Sequence, residues 1–296
     1  MIRRSAGAKG ELTGSELVCQ KREEAPVRVF ISADLEGISG VVHNDQTSSE
    51  GKDYNRARAL MTGEVNAAIE GALAGGASYV LVNDSHGSMR NILIEDVHPG
   101  AVLITGTGKP LQMVQGIDSS FQAAFFVGYH ARMGAGGVLN HTISGASVAN
   151  IWVNETLVGE TGLNAMVAGY YGVPVVLVTG DQYLATEARQ LMPWVHAVEV
   201  KQATGRYSAA CLPPARAREL IKAGAARALA GLANAQPVVP RSPVRIKLQL
   251  RDSGQADGAA RFPGIEQVDP LTVAYTGRDY LEAFRAVRSM IAMSAT

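Results

Sequence analysis

The chain has 296 residues, 47% of them apolar and only 18% charged, with 32 glycines. That length supports one large domain or two ordinary ones, and low charge with abundant glycine suits an α/β protein rich in tight strand-to-helix turns. Lys plus Arg equals Asp plus Glu at 27 each, so no long-range field draws the protein to nucleic acid or an anionic membrane, and a small neutral or zwitterionic ligand fits better.

Residues 1–26 carry Arg3, Arg4, Lys21, Arg22, Glu23 and Glu24 and no apolar stretch of signal-peptide length; they read as a disordered extension or an overlong start. Cys19 and Cys211 are too few and too far apart for a disulfide framework or a cysteine-based zinc motif. No later apolar run approaches the roughly 20 residues that cross a bilayer, so a cytoplasmic protein is expected.

From Val27 onward, short β-branched runs alternate with longer helical stretches, the pattern of a mostly parallel sheet covered by helices in three α/β/α layers. The first strand is predicted from Val27 to Ala33, and it runs into Asp34-Leu35-Glu36-Gly37. Two carboxylates therefore stand where a buried strand emerges, the edge at which α/β enzymes place their chemistry. Two residues apart on an extended chain they point the same way, and like charges that close need a cation or a proton between them. An isolated Asp-x-Glu can equally be a turn residue followed by a solvated one.

A helix is predicted over 53–74, with Leu60, Met61, Val65, Ala68, Ile69 and Leu73 at spacings of three and four and a stop at Gly75-Gly76. Strands follow at 79–83, 101–105 and 123–129; the first ends in Asp84-Ser85-His86-Gly87 and the last in His130. A strand at 151–153 leads through a Leu157-Val158-Gly159 turn to a helix opening at Glu160, and 173–179 is a further parallel-type strand. After about Lys201 the pattern changes: a helix over 213–231, a proline-bearing linker, an alternating strand over 244–250 and a last helix over 278–293. The expected division is a catalytic α/β domain at 27–200 and a smaller α+β unit at 201–296.

Gly106-Thr107-Gly108-Lys109 lacks the spacing of a phosphate loop, and Pro110 replaces its Ser or Thr. Ser144 lacks the preceding glycine of a nucleophile elbow, and Cys211 lies just ahead of a Pro-Pro pair that opens a helix. The histidines say more. His86, His130 and His141 follow strands or flank glycine-rich loops, whereas His43, His98 and His196 sit in a loop, in a turn and at the start of a strand, with weaker claims. With Asp34, Glu36 and Glu160 the first three converge on one sheet edge, a donor set suited to zinc or a related divalent ion and large enough for two.

The segments Ser32-Ala33-Asp34-Leu35-Glu36-Gly37, Tyr54-Asn55-Arg56-Ala57-Arg58, Val82-Asn83-Asp84-Ser85-His86, Gly128-Tyr129-His130-Ala131-Arg132 and Val158-Gly159-Glu160-Thr161-Gly162-Leu163-Asn164-Ala165 occur in the order and form of one family. The chain resembles the DppA-type D-aminopeptidases, zinc peptidases of a dipeptide-transport operon, from about Val27 to the C-terminus. The resemblance implies two zinc ions per chain, with Asp34 bridging them, Glu36 and His86 completing one site and His130 and Glu160 the other. It also implies that His141 is the catalytic nucleophile, that short peptides such as D-Ala-D-Ala are substrates, and that the protein is a ring-like homo-oligomer, a decamer. A general-base or oxyanion role for His141 is the simpler chemistry, since metal-activated water already supplies a nucleophile. Three other readings stay open: a metal-dependent amidohydrolase acting on another small amide, a haloacid-dehalogenase-type phosphatase built on Asp34, and a dipeptide-binding accessory protein. The phosphatase motif has Asp where this chain has Glu36, and it leaves the strand-end histidines unexplained.

Overall fold

The computed structural model of the chain describes residues 26–294 together with residue 1, so the extension expected to be disordered lies outside the described residues. In chain order the elements are β1 (Val27–Ala33), α1 (Asn44–Thr47), α2 (Tyr54–Ala74), β2 (Ala77–Asp84), β3 (Ala101–Ile104), β4 (Ala123–Val127), β5 (Val148–Val153), β6 (Thr156–Val158) and α3 (Glu160–Tyr170). There follow β7 (Val175–Gly180), α4 (Gln182–Leu191), β8 (His196–Glu199), β9 (Lys201–Gly205), β10 (Ser208–Cys211), α5 (Pro214–Ala230), β11 (Val244–Leu250), α6 (Ser253–Ala259), β12 (Glu266–Asp269), β13 (Thr272–Gly277) and α7 (Tyr280–Met293).

Six parallel strands form one sheet in the order β3-β2-β1-β4-β7-β8. Its central strands are buried on both faces, as their continuous apolar runs require. Val29, Ile31 and Ala33 of β1 face a core shared with α2 and α5, while Phe30 faces a second core that takes in α3, α4 and α7. Helices thus cover both faces, the three-layer α/β arrangement expected. The chain leaves β1 toward β2 and β3 on one side and returns to β4 on the other, so the crevice beyond the ends of β1 and β4 is the topological switch point of the sheet.

A second sheet, antiparallel, has the order β12-β13-β11-β5-β6. Its β5 and β6 come from before residue 200 and its other strands from after it, while α5, also from after it, packs against the first sheet. The two sheets therefore interleave along the sequence across the expected boundary. The turn expected at Leu157-Val158-Gly159 is instead Asn154-Glu155, two residues with φ of 46° and 69°. Two consecutive left-handed residues make the hairpin turn whose twist matches the flanking strands, so Leu157 and Val158 belong to β6. Tyr280 donates to the Leu163 carbonyl at 2.8 Å, fastening α7 beside α3.

Candidate metal centre

Ala33 pairs with Asp84 on one side and Val127 on the other, so β1, β2 and β4 end level. Asp34, His86 and His130 are carried just past those ends. The Asp34 amide continues the ladder to the Val127 carbonyl at 2.8 Å, after which the chain turns sharply. Glu36 therefore reaches the same crevice by a bend rather than by continued extended chain. Gly37 permits it: a Cβ there would collide with the Gly128 and Tyr129 carbonyls. Gly128, with φ of 70°, is left-handed and would likewise drive a Cβ into the Asp34 carbonyl. Glu160 arrives from the other direction as the first residue of α3.

The six side chains singled out from the sequence form one buried cluster. His86 Nδ1 lies 3.2 Å from Asp34 Oδ1 and 2.8 Å from Glu36 Oε2. His130 Nε2 lies 3.5 Å from Asp34 Oδ2 and 3.4 Å from Glu160 Oε1. His141 Nε2 is 3.6 Å from the same Glu160 oxygen, and its ring stacks on that of His130 at 4.2 Å. Two groups emerge: Asp34, Glu36 and His86 in one, His130, His141 and Glu160 in the other, each with its donor atoms within 4.8 Å of one another. Asp34 faces both His86 and His130 and so stands between the groups.

Each histidine is oriented from behind. His86 Nε2 meets the Thr47 carbonyl at 2.7 Å, His130 Nδ1 the Ala131 carbonyl at 3.0 Å and His141 Nδ1 the Leu139 carbonyl at 2.9 Å. A carbonyl only accepts, so those nitrogens carry the proton and the opposite lone pairs point into the cluster, the arrangement typical of metal-ligating imidazole. Leu139 and Ile143, on either side of His141, both have positive φ, 51° and 62°. For β-branched Ile143 that is strained backbone, held in part by the bond from its amide to Glu160 Oε1 at 2.7 Å.

Several cluster atoms lack what burial demands. Asp34 Oδ2, Glu36 Oε2 and His130 Nε2 are buried without a hydrogen-bond partner, although they lie close to one another's neighbours, because the directions are wrong for hydrogen bonds. Lone pairs converging on a common space suit a divalent cation. The electrostatics show how strongly the carboxylates draw positive charge, a proton or a metal ion, to the same space. Burial and then the Glu36 charge push the Asp34 carboxyl up to about 7. Against burial, which favours neutral groups, the carboxylates hold His86 well above and His130 up at about 10. The same imidazoles hold Glu36 and Glu160 below the usual range. Burial and the neighbouring His130 charge instead push His141 down.

Supporting residues that the sequence did not announce fix this edge. Ser32 Oγ meets Ser85 Oγ at 2.8 Å, Tyr129 OH at 2.7 Å and the Met113 carbonyl at 2.6 Å. Lys109, from the dismissed phosphate-loop lookalike, is buried with its ammonium on Asn83 Oδ1 and the Asp84 carbonyl at 2.8 and 2.7 Å. His43 caps α1, His98 accepts from Gly100 in a turn, and His196 lies beside Arg227; none joins the cluster.

Lys201 is the largest omission. It is 2% exposed, and its ammonium donates to the carbonyls of Glu36, Ile38 and Val41, pinning the loop that carries Glu36. Burial pushes its pKa down to about 8. The one sequence signal is a lysine directly after Val200, at the end of a stretch in which Val198 and Val200 flank Glu199. Lys201→Met leaves three carbonyls without their donor, at about 1–3 kcal/mol for each unmade bond, partly offset by removing a desolvated charge. A net loss of about 3 kcal/mol is expected in denaturant unfolding; an unchanged midpoint would show that water replaces the ammonium without penalty.

A sequence profile of the D-aminopeptidase family of peptidases matches residues 27–289. The chain belongs to that family. It is 40% identical over 265 residues to a D-aminopeptidase of Bacillus subtilis (strain 168), covering 89% of this chain and 96% of the relative. Its fold superposes with a TM-score of 0.89 on the solved structure of the zinc-dependent D-aminopeptidase DppA from Bacillus subtilis, a self-compartmentalizing protease. That match has 39% identity and covers 91% of this chain and 98% of the other. The cluster at the switch point thus lies in a peptidase fold. Among the described residues no helix is long and apolar enough to cross a membrane.

Proposed function

We propose that the protein is a di-zinc aminopeptidase that releases the N-terminal residue of short D-amino-acid peptides such as D-Ala-D-Ala. The observation carrying this reading is the convergence of buried, hydrogen-bond-free Asp34 Oδ2, Glu36 Oε2 and His130 Nε2 on one space. Asp34, Glu36 and His86 would hold one ion and His130 and Glu160 the other, with Asp34, which faces both His86 and His130, common to the two. When bound, the ions supply Lewis acidity, polarising the scissile carbonyl and making water acidic enough to ionise near neutrality.

The chain's own residues supply the rest. His141 is more exposed than His130, 19% against 2% of its side chain. With Nδ1–H fixed on the Leu139 carbonyl, Nε2 is free to take a proton from the attacking water and return it to the leaving amine. Stacking on His130 fixes the ring plane, and the Glu160 carboxylate stabilises the imidazolium that forms. A second reading has its own observation: His141 groups with His130 and Glu160 at ligand distances, so it is a candidate third ligand rather than the base. Homo-oligomeric assembly enclosing the sites belongs to the same proposal, supported by the self-compartmentalizing relative.

The test is release of D-alanine from D-Ala-D-Ala and from its N-acetyl derivative, before and after chelation. Chelation is expected to lower release by at least about a thousandfold, consistent with several kcal/mol of Lewis-acid stabilisation, and added zinc to restore it. The N-acetyl compound, lacking a free amine, should be spared. Chelator-insensitive release would contradict the metal reading, and equal cleavage of both substrates would assign a general amidohydrolase instead.

A further inference from the structure

The cluster opens into a cavity of about 180 Å³ whose wall includes, besides Asp34, Glu36, Glu160, His86 and His141, the side chains of Gln112 and Arg288. Ordinary small-molecule pockets measure roughly 300–1,000 Å³, so this one takes a small occupant. Arg288 comes from α7, near the C-terminal end of the chain, and reaches the cavity at the end of the first sheet. Its neighbours on the helix, Val287 and Met290, are fully buried in the core that α7 shares with the sheet, so the helix is held in place.

The guanidinium is underused. One of its N–H groups reaches Gln112 Oε1 at 3.3 Å, a long bond, and Nε is buried with no partner. Among the described residues Arg288 forms no ion pair. Guanidinium stays charged, and a buried charge without a partner is costly. Glu160 acts on it electrostatically, but that carboxylate is engaged by the Ile143 amide and faces His130. Arg206, on the neighbouring cavity bordered by Glu36 and His141, is different: its Nη1 is held by both oxygens of Asn140 at 2.6 Å. Arg288 is therefore the guanidinium on the cavity wall whose hydrogen-bonding capacity is left over, and its planar fork matches a carboxylate.

We propose that Arg288 receives the α-carboxylate of a dipeptide whose scissile carbonyl lies at the metal cluster, making a free carboxylate one residue beyond the cleaved bond a determinant of specificity. This rests on the peptidase reading above. The cluster takes the scissile carbonyl and Arg288, on the wall of the same cavity, the carboxylate beyond it. A longer peptide or a C-terminal amide presents no anion at that point and leaves the guanidinium desolvated without compensation.

The experiment compares kcat/KM for D-Ala-D-Ala, its C-terminal amide and D-Ala-D-Glu bearing an α-amide, in the wild type, Arg288→Met and Arg288→Lys, with calorimetric binding of the same three compounds to metal-free protein. The wild type should prefer the free acid over the amide by roughly tenfold to a hundredfold, the worth of a charge-assisted hydrogen bond. That ratio should fall to near unity in Arg288→Met and be partly kept in Arg288→Lys. Equal handling of acid and amide by the wild type, in turnover and in binding, overturns the proposal, as does a ratio unchanged in Arg288→Met. An Arg288-dependent preference for D-Ala-D-Glu amide over D-Ala-D-Ala amide, without preference for the free acid, would transfer the role to a side-chain carboxylate and overturn it too. Failure of the peptidase reading looks different: no turnover of any compound, with acid-selective binding still lost in Arg288→Met. Should Arg288→Met fail to fold, the acid-to-amide ratio in the wild type and Arg288→Lys decides.

Discussion

Asp34→Asn is expected to lower hydrolysis of D-Ala-D-Ala by at least about a thousandfold, the scale of several kcal/mol of metal-derived transition-state stabilisation. Zinc content should fall with it. The substitution keeps the volume and one oxygen but removes the charge and the second anionic oxygen, and Asp34 is the residue that faces both His86 and His130. Both halves of the cluster therefore lose a ligand at once. The fold should survive: Asp34 follows β1 rather than lying within it, and its backbone amide, not its side chain, makes the bond to Val127. Removing a carboxylate pushed up to about 7 by burial and by Glu36 also relieves repulsion between two buried acids. Unfolding monitored by heat alongside metal analysis checks this: retained stability with lost metal supports a ligand, and lost stability with retained metal a structural role.

His141→Ala separates catalysis from metal binding. Under the proposed role as proton acceptor and donor, its loss should lower kcat by about 100- to 10,000-fold, the usual range for general acid–base catalysis, while zinc content stays at the wild-type level. The stacked face of His130 and the Leu139 carbonyl remain in place, so His130 keeps its orientation through Ala131. A variant that instead loses part of its metal would make His141 a ligand, as its grouping with His130 and Glu160 allows. Comparing metal content and turnover on the same samples distinguishes the two.

Much of this site was legible in the sequence because parallel strands ending level bring together whatever follows them. Asp34, His86 and His130 each fall within three residues of the end of a buried strand, and adjacency of β2, β1 and β4 does the rest. Glu160 was readable from its block and is placed by the start of α3. The second sheet was not readable as a unit. Its β5 and β6 are short and find their partner in β11, with Val153 pairing Ile246 across a long stretch of chain, and local patterns carry no trace of such pairing. The turn at Asn154-Glu155 was missed because Glu at a left-handed position breaks the usual turn chemistry. α4 has no place among the sequence expectations, although Asp181 caps it by accepting from the Tyr183 and Leu184 amides, as an Asp ahead of a helix can. Lys201 and Arg288 were invisible for a different reason. Their significance lies in burial against carbonyls and cavity walls supplied by distant segments, and a lysine or arginine in sequence reads first as a solvated charge.

Metal analysis of purified, zinc-supplied protein by mass spectrometry tests the central claim most directly, with the Asp34→Asn variant measured beside it. The account predicts about two zinc ions per wild-type chain, as a two-metal hydrolytic site requires, and a large loss of both in the variant. A wild-type chain that takes up no zinc, or an Asp34→Asn chain that keeps its full complement, would contradict it.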